Sequence, residues 1–175
     1  MINPLTPRDY ASTPKELAKT GRALIMIREI ACKEKNEQRR NALFECGWSF
    51  WNFCQIWDDL IDGEKFDAQE KLLAIKGMQK FVLALLENPI YRENANGFKA
   101  LFVTAISRDI ASVEFANSKD PKERGLAPAI RCGDIDIMVF LAHIAGDFEF
   151  AQEMSSKQKL RRYDLADKPD EKGAV

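Results

Sequence analysis

The chain has 175 residues, and its 26 Lys and Arg against 27 Asp and Glu give a formal net charge of −1. This balance gives no electrostatic indication of nucleic-acid binding or of attachment to an anionic membrane. Apolar residues make up 46% and charged residues 30%, which excludes wholesale disorder. The length suits one domain, so we predict a single helical domain over 1–162 and a flexible charged tail over 163–175.

The cysteines and the single histidine limit the metal chemistry. The four cysteines include no C-x-x-C pair, so a zinc finger is excluded. No basic start followed by an apolar run opens the chain, so we expect reduced thiols and a cytoplasmic protein. No run approaches the roughly 18 apolar residues that a membrane helix needs, and we expect no membrane partner.

Strong helix formers dominate the sequence, whereas Val and Thr together number nine, which disfavours a large sheet. We therefore predict an all-α fold, a compact bundle of five to six amphipathic helices with no significant sheet. Caps, prolines and glycines divide the chain into helices over about 13–35, 36–62, 67–87, 96–117, 129–145 and 147–159, with a loop over 118–128.

A polar stripe follows the second predicted helix. At about 100° per residue, six polar positions fall within an arc of roughly 140°: Glu45, Ser49, Asn52, Gln55, Asp59 and Asp62. Trp48 and Trp51 lie beside it, and no Lys or Arg occurs between Arg40 and Lys65. The stripe is either a solvated face or the lining of a cavity. In the second interpretation Glu45, Trp48, Trp51 and Asn52 contact a ligand or a partner.

The segment Asp58-Asp59-Leu60-Ile61-Asp62 matches the D-D-x-x-D pattern and resembles the motif that binds Mg²⁺ in isoprenoid synthases. The resemblance covers five residues and implies that Asp59 and Asp62 hold Mg²⁺, which in turn holds a diphosphate. Asp109 and Asp136 lie on apolar faces of later helices and would complete the metal shell. For Asp109 an internal salt bridge to Arg28, Arg108 or Arg131 is the alternative.

A second all-α Mg²⁺ class, the nucleotide pyrophosphohydrolases, uses paired E-x-x-E and E-x-x-D motifs. Asp58 to Asp62 would serve as one half of such a pair. The fifth helix does not supply the other half, because Arg131 stands three residues before Asp134, where a glutamate is needed.

On the fifth predicted helix, Cys132, Asp136, His143 and Asp147 share one edge. His143 with Asp147 at i+4 is the candidate general base, and a structural hydrogen bond between them is the alternative. The catalytic residues are otherwise unknown, since a nucleophile elbow, a P-loop and a dinucleotide-binding turn are all absent from the sequence.

Two functions remain open. The first is a non-enzymatic interaction or regulatory subunit that forms a homodimer, because three helices carry more apolar surface than one bundle interior needs. Trp48 and Trp51 would then be exposed interface anchors. The alternative is a Mg²⁺-dependent enzyme or binder of a phosphorylated small molecule, a diphosphate or a nucleotide, with phosphate neutralised by basic residues of 119–124.

Overall fold

The computed structural model describes residues 14–61, 68–130 and 133–156. Over these ranges the chain is all-helical, without a strand. The helices are α1 (Pro14–Cys32), α2 (Glu37–Ile61), α3 (Ala68–Glu87), α4 (Pro89–Glu93), α5 (Ala95–Ala116), α6 (Pro121–Ile130), α7 (Gly133–Ile144) and α8 (148–156). In this part of the chain no helix combines the length and the apolar character needed to cross a membrane. The predicted tail over 163–175 lies outside the described residues.

Helix α4 was not predicted, because Asn88 and Pro89 were interpreted only as the end of α3. The same two residues also begin α4. The side chain of Asn88 accepts a hydrogen bond from the Ile90 N–H over 2.9 Å, and Pro89 fills the first helical position. The Asn88 amide also donates to the backbone oxygen of Ala42 over 2.8 Å. This buried residue therefore fixes the α3–α4 junction against α2.

Helix α6 corrects the prediction of a loop over 118–128. Asp120 accepts a hydrogen bond from the Lys122 N–H over 2.8 Å, and Pro121 is the first helical residue. Ser118 donates to the Glu123 carboxylate, which strengthens the same start. Because α6 continues to Ile130, the helix predicted over 129–145 begins only at Gly133.

Helix α2 contacts more of the other helices than any other described helix, since it packs against α1, α3, α4 and α7. Gly47 marks a close approach between these helices. A Cβ atom there would lie 2.9 Å from Leu141 Cδ1 on α7 and 3.0 Å from Ile27 Cγ2 on α1. Helices α1, α2 and α7 therefore meet around a position that has no room for a side chain.

Candidate functional site

The middle of the polar stripe of α2 is buried. Ser49 and Asn52 are only 7% and 5% exposed, and Ile56 packs in a cluster with Ala74 and Phe81 of α3. The interpretation as a solvated face is therefore wrong for Ser49 and Asn52, whereas Glu45 at the beginning of the stripe is exposed. The sequence showed the stripe, but not which neighbouring helix covers it.

The expected exposure of Trp48 and Trp51 is also corrected. They are 8% and 7% exposed, and their rings stack with centroids 5.4 Å apart and planes inclined by 14°. They are buried because α3 and α4 pack along α2, so the shoulders of the stripe become part of the interior. A buried ring pair cannot act as a pair of exposed anchors.

A cavity of about 420 Å³ opens between the first half of α2 and the last turns of α3. From α2 it is lined by Phe44, Glu45, Trp48 and Ser49, and from α3 by Lys80, Phe81 and Glu87. The cavity therefore includes the predicted contact residues Glu45 and Trp48. Asn52 and Trp51 do not line it, and the Asn52 amide instead donates to the Trp48 backbone oxygen over 2.7 Å.

The charged groups around this cavity carry an excess of one negative charge, since Glu45 and Glu87 face a single Lys80. Both glutamates are exposed and the lysine is half-buried. Among the described residues, none of the three forms an ion pair. Glu87 is also the last residue of α3, where the helix dipole adds partial negative charge. The mouth of the cavity therefore favours a cation.

The α3 side of this cavity was not predicted from the sequence. Lys80 and Glu87 are seven residues apart, so two helical turns place them on the same side of α3. The sequence therefore indicated that the two residues share a face of α3. It did not indicate that this face lies against the stripe on α2. The link is made by the packing of α3 against α2.

The two predicted metal ligands on later helices have protein partners. Trp57 Nε1 donates to Asp109 Oδ2 over 3.0 Å. Arg131, one of the arginines predicted to pair with Asp109, lies outside the described residues. Arg108 instead donates to Asp136 and joins α5 to α7. The side chain of Asp59 and the whole of Asp62 lie outside the described residues. Among the residues that are described, no group of three His, Cys, Asp or Glu is placed to hold a metal ion.

His143 and Asp147 do not form the predicted helical pair. Helix α7 ends at Ile144, and Gly146 adopts a φ of 79°, so the two residues are not one turn apart on one helix. His143 is exposed, with its ring 5.2 Å from that of Phe148. Asp147 instead begins α8. The catalytic roles of His143 and Asp147 remain predictions, because no contact in the described part of the chain supports them.

Asp147 has two favourable interactions of its own. It accepts a hydrogen bond from the Phe150 N–H over 3.0 Å and lies 3.0 Å from Lys33 Nζ of the α1–α2 connection. The Phe150 N–H, followed by Lys33, holds the pKa of Asp147 below its usual value. The group is therefore a structural cap.

Comparison with known protein families, curated proteins and solved structures gave no match. A functional proposal for this chain therefore rests on its own residues.

Proposed function

We propose that this protein is a non-enzymatic regulatory subunit that binds a small organic cation with an apolar body in the cavity between α2 and α3. The proposal depends on a cavity of about 420 Å³ that combines an aromatic lining with two carboxylates, Glu45 and Glu87, which form no ion pair among the described residues. Small-molecule sites have volumes of roughly 300–1,000 Å³ and combine an apolar lining with a few polar groups.

The lining suits the two parts of such a ligand. Phe44, Trp48 and Phe81 provide apolar area for a ring or a short chain. An ammonium group near Glu45 and Glu87 gains from both carboxylates, and a ring face adds a cation–π attraction. A phosphate would instead meet two carboxylates and one lysine. This charge balance disfavours an unaccompanied phosphorylated ligand in this cavity.

The chemistry of the reactive groups supports binding without catalysis. Burial raises the pKa of the Cys46 thiol to about 12, which keeps it protonated and unreactive. The single histidine, His143, lies on α7 and does not line the cavity. The Mg²⁺-dependent alternative stays a prediction from the Asp58–Asp62 motif, and no contact among the described side chains favours it.

We further propose that the helices form one compact bundle in the cytoplasm. The many neighbours of α2 support the bundle, because one helix joins α1, α3, α4 and α7. Among the described residues, Cys32 and Cys46 are free thiols, which supports a reducing compartment.

Isothermal titration with benzyltrimethylammonium, with phenylacetate as the anion of similar size, tests the binding proposal. We expect the cation to bind more tightly than the anion. Glu45→Gln and Glu87→Gln should each weaken cation binding roughly two- to fivefold, since partly exposed charge pairs contribute about 0.5–1 kcal/mol. Glu114→Gln, at an exposed position on α5, is the matched control and should bind as the wild type does.

A variant that fills the cavity distinguishes binding inside it from a general attraction of the cation to surface charge. Ala84 lines the same cavity, and Ala84→Phe should fill part of it and abolish binding while the far-ultraviolet circular dichroism stays helical. Equal affinity for cation and anion, or full binding by Ala84→Phe, would overturn the proposal.

A further inference from the structure

Helix α3 has a second apolar face that no described helix covers. Its inner side packs on α2 through Ala74, Phe81 and Leu85, which are buried. Its outer side carries five exposed residues within an arc of roughly 80°, and we call them the α3 stripe: Leu72, Ile75, Gln79, Leu83 and Leu86. The four apolar members are 47% to 60% exposed. Large apolar side chains aligned in this way mark an association surface.

The spacing of the α3 stripe is symmetric about its polar centre. Leu72 and Leu86 lie seven residues to either side of Gln79, and Ile75 and Leu83 lie four residues to either side. A two-fold axis through Gln79, perpendicular to the helix, therefore places each apolar residue beside an apolar residue of a second, antiparallel copy. We propose that two copies of this chain associate through the α3 stripe in this antiparallel register.

The residue on the axis fits a second copy of the chain. A glutamine amide carries both donors and an acceptor, so two Gln79 side chains can hydrogen-bond to each other across the axis. A single polar residue in an apolar helix seam fixes register, because any shift leaves the amide against apolar groups. An unrelated partner would need its own complement to this pattern, whereas a second copy supplies it by symmetry.

The flanking charges favour the antiparallel direction. Lys71 near the beginning of α3 and Glu87 at its end are exposed and lie eight residues to either side of Gln79. The antiparallel register therefore places Lys71 of one copy at the same level along the helices as Glu87 of the other. A parallel register would align lysine with lysine and glutamate with glutamate. The α3 stripe therefore specifies both the partner and its direction.

Helix α5 carries another exposed apolar row, formed by Val103, Ile106, Ile110 and Val113. Two of these, Ile106 and Val113, are only 36% and 37% exposed, and the row has no polar centre. This row supplies the matched control for the α3 stripe, because Ile110 and Leu83 are similarly exposed, at 55% and 51%.

Sedimentation equilibrium on the full chain tests the association. We expect a dimer whose dissociation constant rises about tenfold or more in Leu83→Glu, since the charge is buried twice in a symmetric interface. Ile110→Glu should dimerise as the wild type does, and circular dichroism should show that both variants stay folded. A monomeric wild type at the highest soluble concentration overturns the proposal. Dissociation caused by Ile110→Glu and not by Leu83→Glu also overturns it.

Cysteine cross-linking tests the register, in a Cys32→Ser background that removes an exposed thiol. Gln79→Cys should form a disulfide-linked dimer readily, because the two positions meet at the axis. Leu72→Cys alone should not, since the two copies of position 72 would be about 21 Å apart along the helices. A mixture of Leu72→Cys with Leu86→Cys should cross-link. Efficient cross-linking of Leu72→Cys with itself would overturn the antiparallel register.

This proposal does not depend on ligand binding in the cavity. The variants at positions 72, 79, 83 and 86 leave the cavity lining intact, so they test association apart from ligand binding. Glu87 is the one residue used in both proposals, and it is not changed in the association experiments.

Discussion

Trp57 on α2 donates its indole N–H to the carboxylate of Asp109 on α5 over 3.0 Å. Both side chains are half-buried. A carboxylate on an apolar helix face requires donors, because its desolvation is otherwise uncompensated. The structure shows that an aromatic donor from a neighbouring helix meets part of this need. Asp109 thus acts in the packing of two helices.

A double-mutant cycle measures this hydrogen bond. Trp57→Phe and Asp109→Ala should be coupled by about 1.5–3 kcal/mol in the free energy of urea unfolding, since hydrogen bonds to charged groups contribute about that much. Asp120→Ala, which removes the exposed cap of α6, is the control partner for Trp57→Phe. That second cycle should be additive. Equal coupling in both cycles would show that the hydrogen bond contributes nothing specific.

The sequence predicted the long helices because their apolar period extends over several turns. It predicted α1, α2, α3 and α5 with ends close to those observed. It missed α4 and α6, which have 5 and 10 residues, since each depends on one cap followed by proline. Those signals were present at Asn88 and Asp120. They were read as breaks, because Gly125 and Pro128 argued against a helix beyond Asp120.

Only the α2 side of the cavity was predictable from the sequence. The lack of Lys and Arg along α2 after Arg40 pointed to a covered stripe, and Glu45 and Trp48 do line the cavity. Lys80 and Glu87 were not found, because the facing of α3 on α2 is set by tertiary packing. Burial of Trp48 and Trp51 was missed for the same reason. A helical wheel gives the angle of a residue, but it does not show what covers that angle.

Gly47 should tolerate no larger residue. Gly47→Ala places a Cβ atom against Leu141 and Ile27, and overpacking of this kind costs about 1–3 kcal/mol, of which the better helix propensity of alanine offsets up to about 1 kcal/mol. Gly21→Ala is the matched control, since a Cβ atom there meets nothing within 4 Å in helix α1. It should stabilise the protein by up to about 1 kcal/mol, because alanine is the better helix former. Thermal and urea unfolding of both variants measure the change in stability, which should be negative for Gly47→Ala and positive for Gly21→Ala. A stabilised Gly47→Ala would contradict the close packing.

Cysteine reactivity should follow burial. Cys46 is fully buried and its pKa is raised to about 12, so its thiol remains protonated at pH 8. Cys32 is exposed. Brief treatment of the folded protein with iodoacetamide should therefore label Cys32 and leave Cys46 unmodified, as read by mass spectrometry of peptides. Labelling of both in urea is the control, and rapid labelling of Cys46 without urea would refute its burial.

Magnesium addition tests the alternative function directly. Because the proposed site is a cavity for an organic cation, we expect Mg²⁺ to leave the melting temperature of the wild type unchanged. Asp59→Asn should then behave as the wild type does with and without Mg²⁺. A rise in melting temperature with Mg²⁺ that is lost in Asp59→Asn would instead support the diphosphate motif. Calcium at the same ionic strength controls for general screening of charge.

The stability contributed by Asp147 should depend on pH. Because the Phe150 N–H and Lys33 lower its pKa in the folded state, the folded protein favours the ionised carboxylate. That contribution is complete above the pKa of an unfolded aspartate, about 3.9, and is lost as the pH falls through the lower folded value. The difference in urea midpoint between the wild type and Asp147→Asn should therefore stay constant from pH 7 to about pH 5 and shrink below about pH 4.

Lys33→Met provides the control for this pH dependence. It removes the ion pair but leaves a charged carboxylate as the acceptor of the Phe150 N–H, so its own effect should be smaller than that of Asp147→Asn, which removes the charge from both interactions. In the Lys33→Met background, Asp147→Asn should have a reduced effect, since the asparagine oxygen still accepts from the Phe150 N–H. The other carboxylates titrate in the same way in both proteins of each comparison, so their contributions cancel in the difference between the two urea midpoints. A midpoint difference that grows as the pH falls would mean that the folded state raises the pKa of Asp147, contrary to the contacts that begin α8.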